Sequence, residues 1–95
     1  MSDVFDALAH PARRKILRLL RKRPMSAGEI AEKIDLAKPT LSGHFSVLKA
    51  ADLVSTERQG TTIIYRLNLS VLEEALAALM EIAGARGGKA LPGEK

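Results

Sequence analysis

The segment from Ser26 to Leu53 constrains the fold most strongly, because it has the pattern of two short helices joined by a tight turn. Ser26 and Glu29 have the spacing of a capping box, in which each side chain bonds to the backbone N–H of the other residue. Pro39 suits the first turn of a second helix, since its φ is fixed and it has no N–H to leave unpaired. The segment therefore predicts a helix-turn-helix. Asp35 in the turn could tolerate the left-handed conformation that most residues avoid.

The second helix of this pair has one apolar face and one small polar face. Leu41, Phe45 and Leu48 recur at helical spacing, which predicts that they face the core. The residues left to face outward are Thr40, Ser42, Gly43 and Ser46. A helix with such a face can enter the major groove of DNA, whereas the alternative is an ordinary helical hairpin within a bundle.

Size and charge place the chain among small basic domains. Its 95 residues can form only a small core, so association of two copies is expected. The 15 Lys and Arg residues against 11 Asp and Glu residues give a net charge of +4, which favours a polyanionic partner. The absence of cysteine excludes disulfides and thiolate metal sites. We find no signal peptide and no apolar run of about 20 residues, so a cytoplasmic protein is expected.

Two helices are predicted ahead of the helix-turn-helix. Val4, Phe5 and Leu8 share one face of a short helix that ends at His10, because the following Pro11 disfavours helix in the residue before it. A longer helix begins at Pro11. Its apolar stripe consists of Ile16, Leu17, Leu19 and Leu20, and its basic residues are Arg13, Arg14, Lys15, Arg18, Arg21, Lys22 and Arg23. We interpret most of these basic side chains as solvated, with one or two in contact with phosphate.

A β-hairpin is predicted after the helix-turn-helix. Residues 53–57 and 62–67 are rich in β-branched side chains, and between them Gly60 can adopt the positive φ of a turn. A hairpin that follows a recognition helix is a wing, and Arg58 and Gln59 at its tip could contact the DNA backbone or the minor groove. The predicted fold class is mainly α with a small antiparallel β-hairpin, which is a dimeric winged helix-turn-helix with about five helices.

The last helix is predicted from about Val71 to Ala83, with a capping box formed by Ser70 and Glu73. Its apolar residues cover more than the single stripe that a surface helix needs, so a second copy of the chain is expected to cover the rest. The predicted dimer interface comprises Val4, Phe5, Leu8, Leu72, Leu76, Leu79 and Ala83, and the leucines of the last helix have no evident partner within one copy. The domain boundaries follow as 1–83 for DNA binding and dimerisation, and 84–95 for a flexible tail rich in glycine.

Three stretches together resemble the ArsR-type winged-helix repressors over roughly Val4 to Met80. They are ALAHPARRKILRLL at the start, KPTLSGHFSVLKAADLV at the recognition helix and RQGTTIIYRL at the wing. The last two stretches are most similar to the SdpR-like autorepressor branch of that family. The resemblance implies a homodimer that binds an inverted-repeat operator in double-stranded DNA, represses transcription and leaves DNA when a signal arrives. The residues that it places at the DNA are Lys38, Thr40, Ser42, Gly43 and Ser46 in the major groove, with Arg58 and Gln59 in the wing.

The chain departs from that family at several positions. Gly43 stands where relatives usually carry a longer polar or basic side chain, and Asp52 stands where a glycine commonly ends the recognition helix. The cysteine pair of metal-sensing members is absent from the first helix of the motif. The last helix contains no histidine for the other known metal site of the family. We therefore expect no metal, no cofactor and no small-molecule substrate, and a regulatory partner that is membrane-bound could supply the signal instead.

Two other functions compete with DNA recognition. An enzyme would have to use Ser42 and His44 as nucleophile and base, but side chains two positions apart on a helix diverge. A winged helix used only for protein contacts is the more serious alternative, because fold does not fix function. Such a surface should offer an apolar anchor. The face between Lys38 and Arg58 is instead small, polar and free of acidic residues, which favours DNA.

Overall fold

The computed structural model describes residues 3–84, which form five helices and a three-stranded antiparallel sheet. The helices are α1 (Val4–Leu8), α2 (Pro11–Lys22), α3 (Ala27–Lys33), α4 (Lys38–Ala50) and α5 (Leu69–Ala83). The strands are β1 (Met25–Ser26), β2 (Val54–Gln59) and β3 (Thr62–Leu67), in the spatial order β1-β3-β2. The predicted winged helix-turn-helix is confirmed, with α3 and α4 as the motif and β2 and β3 as the wing.

The start of α3 is fixed by the capping box that the sequence predicts. The backbone N–H of Glu29 donates to the Ser26 hydroxyl at 3.1 Å, and the N–H of Ser26 donates to the Glu29 carboxylate at 3.0 Å. The bond from Ser26, followed by the bond from Arg23, holds the pKa of Glu29 below its usual value. This local network sets where the helix-turn-helix begins.

The left-handed residue lies at the end of α4 and not in the turn between α3 and α4. Asp52 has a φ of 61° and is the only non-glycine residue with positive φ in the described range, so Asp35 does not use the left-handed conformation that it could tolerate. The turn needs no such residue, because Ile34 is extended and its carbonyl accepts the N–H of Leu36. Asp52 takes the position where glycine is common, and aspartate tolerates that conformation better than most residues.

The wing is longer than predicted and its turn is tighter. Pairing runs from Val54 opposite Leu67 to Gln59 opposite Thr62, which leaves a two-residue turn in which Gly60 has a φ of 65°. Arg58 and Gln59 therefore lie within β2 rather than in the loop where they were predicted. Strand β1 was not predicted at all, because a strand of only two residues is too short to show alternation.

The core lies between α2, α3, α4 and the base of the sheet, and its fully buried large side chains are Ile16, Ile30, Leu48 and Leu53. The apolar residues of α1 differ in how far they are buried. Phe5 is 39% exposed, whereas Ala7 is fully buried and Val4 and Leu8 pack beside it. The small Ala7 side chain allows α1 to lie close to α2, and this places Phe5 outside the core.

Helix α5 begins earlier than predicted and without a capping box. Asn68 is the N-cap residue, but its side chain makes no capping bond, and its amide NH2 group donates to the carbonyl of Asp52. Ser70 lies inside the helix, so the predicted pair of Ser70 with Glu73 does not form. Leu72 packs against the core of its own chain, which corrects the prediction that it has no partner there.

Helix α5 is exposed from Leu79 onward and ends at Ala83, and its C-cap residue Gly84 has a φ of 77°. The predicted flexible tail lies outside the described residues, apart from Gly84 itself. No helix within residues 3–84 is long and apolar enough to cross a membrane.

Candidate nucleic-acid interface

The two faces of α4 divide as the sequence predicts. Leu41, Phe45 and Leu48 are buried and hold the helix against the core. Phe45 also stacks on Tyr65 of β3, with ring centroids 4.6 Å apart. The residues predicted to face the major groove are all exposed, and they are Lys38, Thr40, Ser42, Gly43 and Ser46. The core thus fixes one side of the helix and leaves a small polar side open to a groove.

Gly43 leaves a bare patch of backbone in the middle of that exposed face. A Cβ atom added at this position would have no other heavy atom within 4 Å, its own helix backbone aside. Nothing in the folded chain therefore requires a glycine here. The backbone φ at Gly43 is not positive either, so its conformation is open to any residue.

The N-terminal turn of α4 projects Lys38 and Thr40 at the exposed end of the motif. No side chain caps this helix start at Ala37, and Pro39 removes one N–H that would otherwise be unpaired. The N-terminal residues of a recognition helix are those that reach base edges in known helix-turn-helix complexes. The geometry at this end of α4 is compatible with that arrangement.

The wing presents Arg58 and Gln59 beside its turn, and both side chains are exposed. One register position pairs Arg58 with Ile63, while the neighbouring Glu57 forms an ion pair with Arg66 at 2.9 Å. Arg58 has no ion pair within the described part of the chain. The one acidic side chain of the wing is thus paired with Arg66. The charge of Arg58 is therefore free to bind an anion such as a phosphate group.

His44 holds α4 from its inner side. It is 8% exposed, its Nδ1 atom lies 3.2 Å from Nη1 of Arg13, and its ring centroid lies 4.5 Å from that of His10. Burial, followed by the charges of His10 and Arg13, lowers the pKa of His44 below the usual histidine value. His10 is the N-cap residue of α2, because its Nδ1 atom accepts the N–H of Ala12 at the start of that helix.

Arg13 is the structural residue that sequence reasoning missed, because it was grouped with the solvated basic residues of α2. The position of Arg13 along α2 could have predicted this role. Arg13, Ile16, Leu17 and Leu20 have the spacing of one helical face, and the three apolar members of that set are buried. A basic residue on a buried stripe needs partners, and Arg13 finds them in α1 and α4.

An apolar surface lies apart from the DNA-facing residues, on α5. Leu76, Leu79 and Ile82 are 55%, 47% and 82% exposed, and Met80 is partly exposed next to them. Of the predicted dimer-interface residues, Phe5, Leu76, Leu79 and Ala83 are exposed, whereas Val4, Leu8 and Leu72 are half-buried in their own chain. Ile82 was not among them, although it is the most exposed large apolar residue in the described range.

Two alternative sites were considered, a catalytic pair of Ser42 with His44 and a metal site. Ser42 is exposed and His44 is buried against Arg13, so the two do not form a nucleophile and base. Within residues 3–84 no three His, Cys, Asp or Glu side chains are grouped so that they could hold a metal ion.

The comparisons with known proteins agree with this geometry. Residues 8–57 match a family described as a helix-turn-helix domain. The transcriptional repressor SdpR of Bacillus subtilis is 45% identical over 76 residues, which cover 80% of this chain and 84% of SdpR. This identity supports the SdpR-like branch predicted from the recognition helix and the wing.

Two solved structures extend the likeness to the whole fold. The crystal structure of NolR from Sinorhizobium fredii superposes with a TM-score of 0.69 at 40% identity, covering 90% of this chain and 82% of NolR. An ArsR-like transcriptional regulator from Rhodococcus sp. RHA1 gives a TM-score of 0.75 at 29% identity, covering 84% and 76% of the two chains. From its sequence and its fold, the chain belongs to the ArsR-type family of winged helix-turn-helix transcriptional regulators.

Proposed function

We propose that this protein is a sequence-specific DNA-binding transcriptional repressor that acts as a homodimer on an inverted-repeat operator and represses its own gene. The observation that carries the proposal is the outer face of α4, which is exposed, small, polar and free of acidic side chains. The buried residues behind it keep the helix in place. Membership of a family whose named relatives include repressors supports the same function.

The charged and the uncharged polar residues of this surface suggest two kinds of DNA contact. Lys38 at the start of α4 and Arg58 in the wing are exposed cations that can bind phosphate and set the register of the duplex. Thr40 and Ser42 lie between them and can accept or donate hydrogen bonds at base edges. Gln59, Gly43 and Ser46 complete the proposed contact surface. A net charge of +4 adds attraction that does not depend on sequence.

The dimer is proposed from the exposed apolar residues of α5. Monomeric soluble proteins rarely leave a contiguous apolar surface of this kind uncovered. A second copy that packs its own Leu76, Leu79 and Ile82 against the same residues would cover both surfaces by a twofold axis. Two recognition helices related by that axis would meet two half-sites of an inverted repeat.

The inducing signal is proposed to be a protein partner, and the resemblance to the SdpR-like branch suggests a membrane-bound one. The chain has no cysteine, so it has no thiolate with which to bind a soft metal or respond to an oxidant. A protein that removes the dimer from DNA would need no effector site within the fold.

The proposal is tested by selecting a duplex of about 30 base pairs from a random pool, a length that holds two half-sites one helical turn apart. The selected duplex should bind on the order of a thousandfold more tightly than a scrambled duplex of the same composition at the same salt concentration. A footprint across the protein's own promoter should show two protected half-sites. Equal affinity for the selected and scrambled duplexes would exclude sequence-specific recognition and favour a winged helix that serves protein contacts.

A further inference from the structure

One guanidinium group joins three helices behind the recognition surface. Nε of Arg13 in α2 donates to the carbonyl of Ala7 at 2.7 Å, and Nη2 donates to the carbonyl of Asp6 at 3.2 Å, so α1 is bound through its backbone. The remaining Nη1 atom lies 3.2 Å from Nδ1 of His44 in α4. Arg13, His10 and His44 together form what we call the histidine junction.

The chemistry of arginine fixes the protonation of His44. A guanidinium can only donate hydrogen bonds and does not lose its proton in proteins. Nδ1 of His44 must therefore accept, which places the single ring proton on Nε2 and makes the ring neutral. A second proton could be added only at Nδ1, where it would replace the hydrogen bond by two cations 3.2 Å apart.

His10 is held by a hydrogen bond of its own. Its Nδ1 atom accepts the N–H of Ala12 at 3.1 Å and caps α2, while its ring packs at 56° against that of His44. The junction thus places the neutral His44 ring between Arg13 and the ring of His10.

No acidic group among residues 3–84 offsets a charge on His44. The groups that act on its ring are His10, at the N-terminus of α2, and Arg13, and both disfavour the charged form. From α1 the junction includes only backbone carbonyls, and these are bound by Arg13. Burial acts in the same direction, so the pKa of His44 is lowered first by desolvation and then by these two neighbours.

We propose that Arg13 and His44 are positioning residues that hold the recognition helix against α1 and α2, and that a proton on His44 breaks their hydrogen bond and weakens DNA binding. This inference rests on the proposed DNA-binding function. Histidine is the only side chain whose ordinary pKa falls between 5 and 8, and the chain has two histidines, both in this junction.

The direct test measures affinity for the duplex selected at pH 7.5, by fluorescence anisotropy at constant salt, at pH 7.5 and again at pH 5.0. We expect wild-type affinity to fall on the order of tenfold, because the free protein takes up a proton on His44 more readily than the DNA-bound protein does. His44→Asn keeps an acceptor near the position of Nδ1 but takes up no proton. Its affinity should stay close to the neutral wild-type value at both pH values. His10→Asn keeps a good N-cap residue but removes the ring that packs against His44, so it shows how far that ring contributes to the pH dependence of binding.

A charge-preserving pair of variants tests the positioning role. Arg13→Lys keeps the positive charge but loses the planar fork that reaches three acceptors, so it should weaken binding at pH 7.5 and reduce the pH dependence. Arg18→Lys makes the same exchange on an exposed part of α2 and should leave the affinity at pH 7.5 and its pH dependence unchanged. Circular dichroism of each variant at both pH values distinguishes a local break in the junction from unfolding of the domain.

NMR titration of the wild-type protein without DNA gives a second measurement that needs no variant. The ring signals of His44 should titrate together with backbone amide signals of α1 and α4. A wild-type affinity that is the same at both pH values, or a His44→Asn variant that weakens as much as wild type, would overturn the inference. Titration of His44 without any response in α1 would do so as well. Failure of wild type to prefer the selected duplex at pH 7.5 would instead count against the proposed function.

Discussion

The side-chain amide of Asn68 donates a hydrogen bond to the carbonyl of Asp52 at 3.0 Å, and this bond ties the end of the recognition helix to the start of α5. The backbone N–H of Asn68 adds a second link, to the carbonyl of Leu53 at 2.9 Å. Asp52 is the residue with a φ of 61°. The left-handed turn after α4 and the N-cap residue of α5 are therefore one connected unit.

Asp52→Gly should stabilise the protein, because glycine adopts positive φ without the steric cost of a Cβ atom. The expected rise in the free energy of unfolding is about 0.5 to 1 kcal/mol in urea denaturation. Asp52→Ala is the matched control. It keeps the Cβ atom and loses the tolerance of aspartate for this conformation, so it should lower the same quantity. A destabilised glycine variant would show that the Asp52 side chain has a role beyond its backbone conformation.

Gly43→Ala should raise stability and lower DNA affinity. Alanine in a helix interior is more favourable than glycine by about 1 kcal/mol, and a Cβ atom at this position meets no neighbour in the folded chain. If the helix backbone approaches the groove closely here, the added methyl group will weaken binding to the selected duplex. Urea denaturation and anisotropy on the same variant measure both effects. Higher stability with unchanged affinity would mean that the glycine has no part in recognition.

Leu76→Arg should abolish the dimer while the monomer stays folded, since Leu76 is 55% exposed in a single chain. In the proposed dimer the new charge would be buried without a partner, which is strongly unfavourable. Sedimentation should show monomers, with binding to the selected duplex lost. Ser70→Arg adds the same charge at an exposed position of α5 and should remain dimeric. A dimeric Leu76→Arg variant would place the interface elsewhere.

Thr40→Ala and Arg58→Ala should affect DNA binding in different ways. The first should relax preference at one operator position by about 1 to 3 kcal/mol. The second should weaken all sequences alike and reduce the slope of log affinity against log salt by about one for each phosphate that the protein no longer binds. Titrations against the selected duplex, single-base variants of it and a scrambled duplex, each at several salt concentrations, separate the two. Equal and sequence-independent decreases would contradict this division between the helix and the wing.

Stability should fall in acid through His44. Because its pKa is lowered in the folded state, the unfolded chain takes up a proton more readily, and the free energy of unfolding falls as the pH drops below about 6.5. The free energy of unfolding stops falling from this cause once the pH lies below the pKa of His44 in the folded state. Urea denaturation from pH 7.5 to 5.0 should show this decline in wild type and a flatter profile in His44→Asn. Identical profiles would mean that another group is responsible.

Features that depend on neighbours along the chain were predicted well from sequence. The Ser26 and Glu29 capping box is complete within four residues, and the split of α4 into buried and exposed faces follows from its own spacing. Both decide where the candidate DNA surface lies. For this reason, the exposed position of the site residues could be predicted without the structure.

Features that depend on distant segments were not predictable in the same way. The Ser70 and Glu73 pattern is a valid capping signal, but Asn68 is held by the Asp52 carbonyl and the helix starts before that signal applies. The burial of Ala7 was not predicted, because the close approach of α1 to α2 depends on bonds from Arg13 to the backbone of α1. In each case a bond made by another element overrides the local pattern.

The short strand β1 has a further consequence for the wing. Ser26 caps α3 and also pairs with Ile64 of β3, and Met25 pairs with Tyr65, so the base of the wing is joined to the first helix of the motif. Between Ile64 and the turn at Gly60 the wing is a ribbon of only two strands, and such ribbons bend and twist easily. Arg58 and Gln59 lie on this pliable part. In the proposed complex they would follow minor grooves of different widths along an operator, while the anchored base would keep α4 in a constant register.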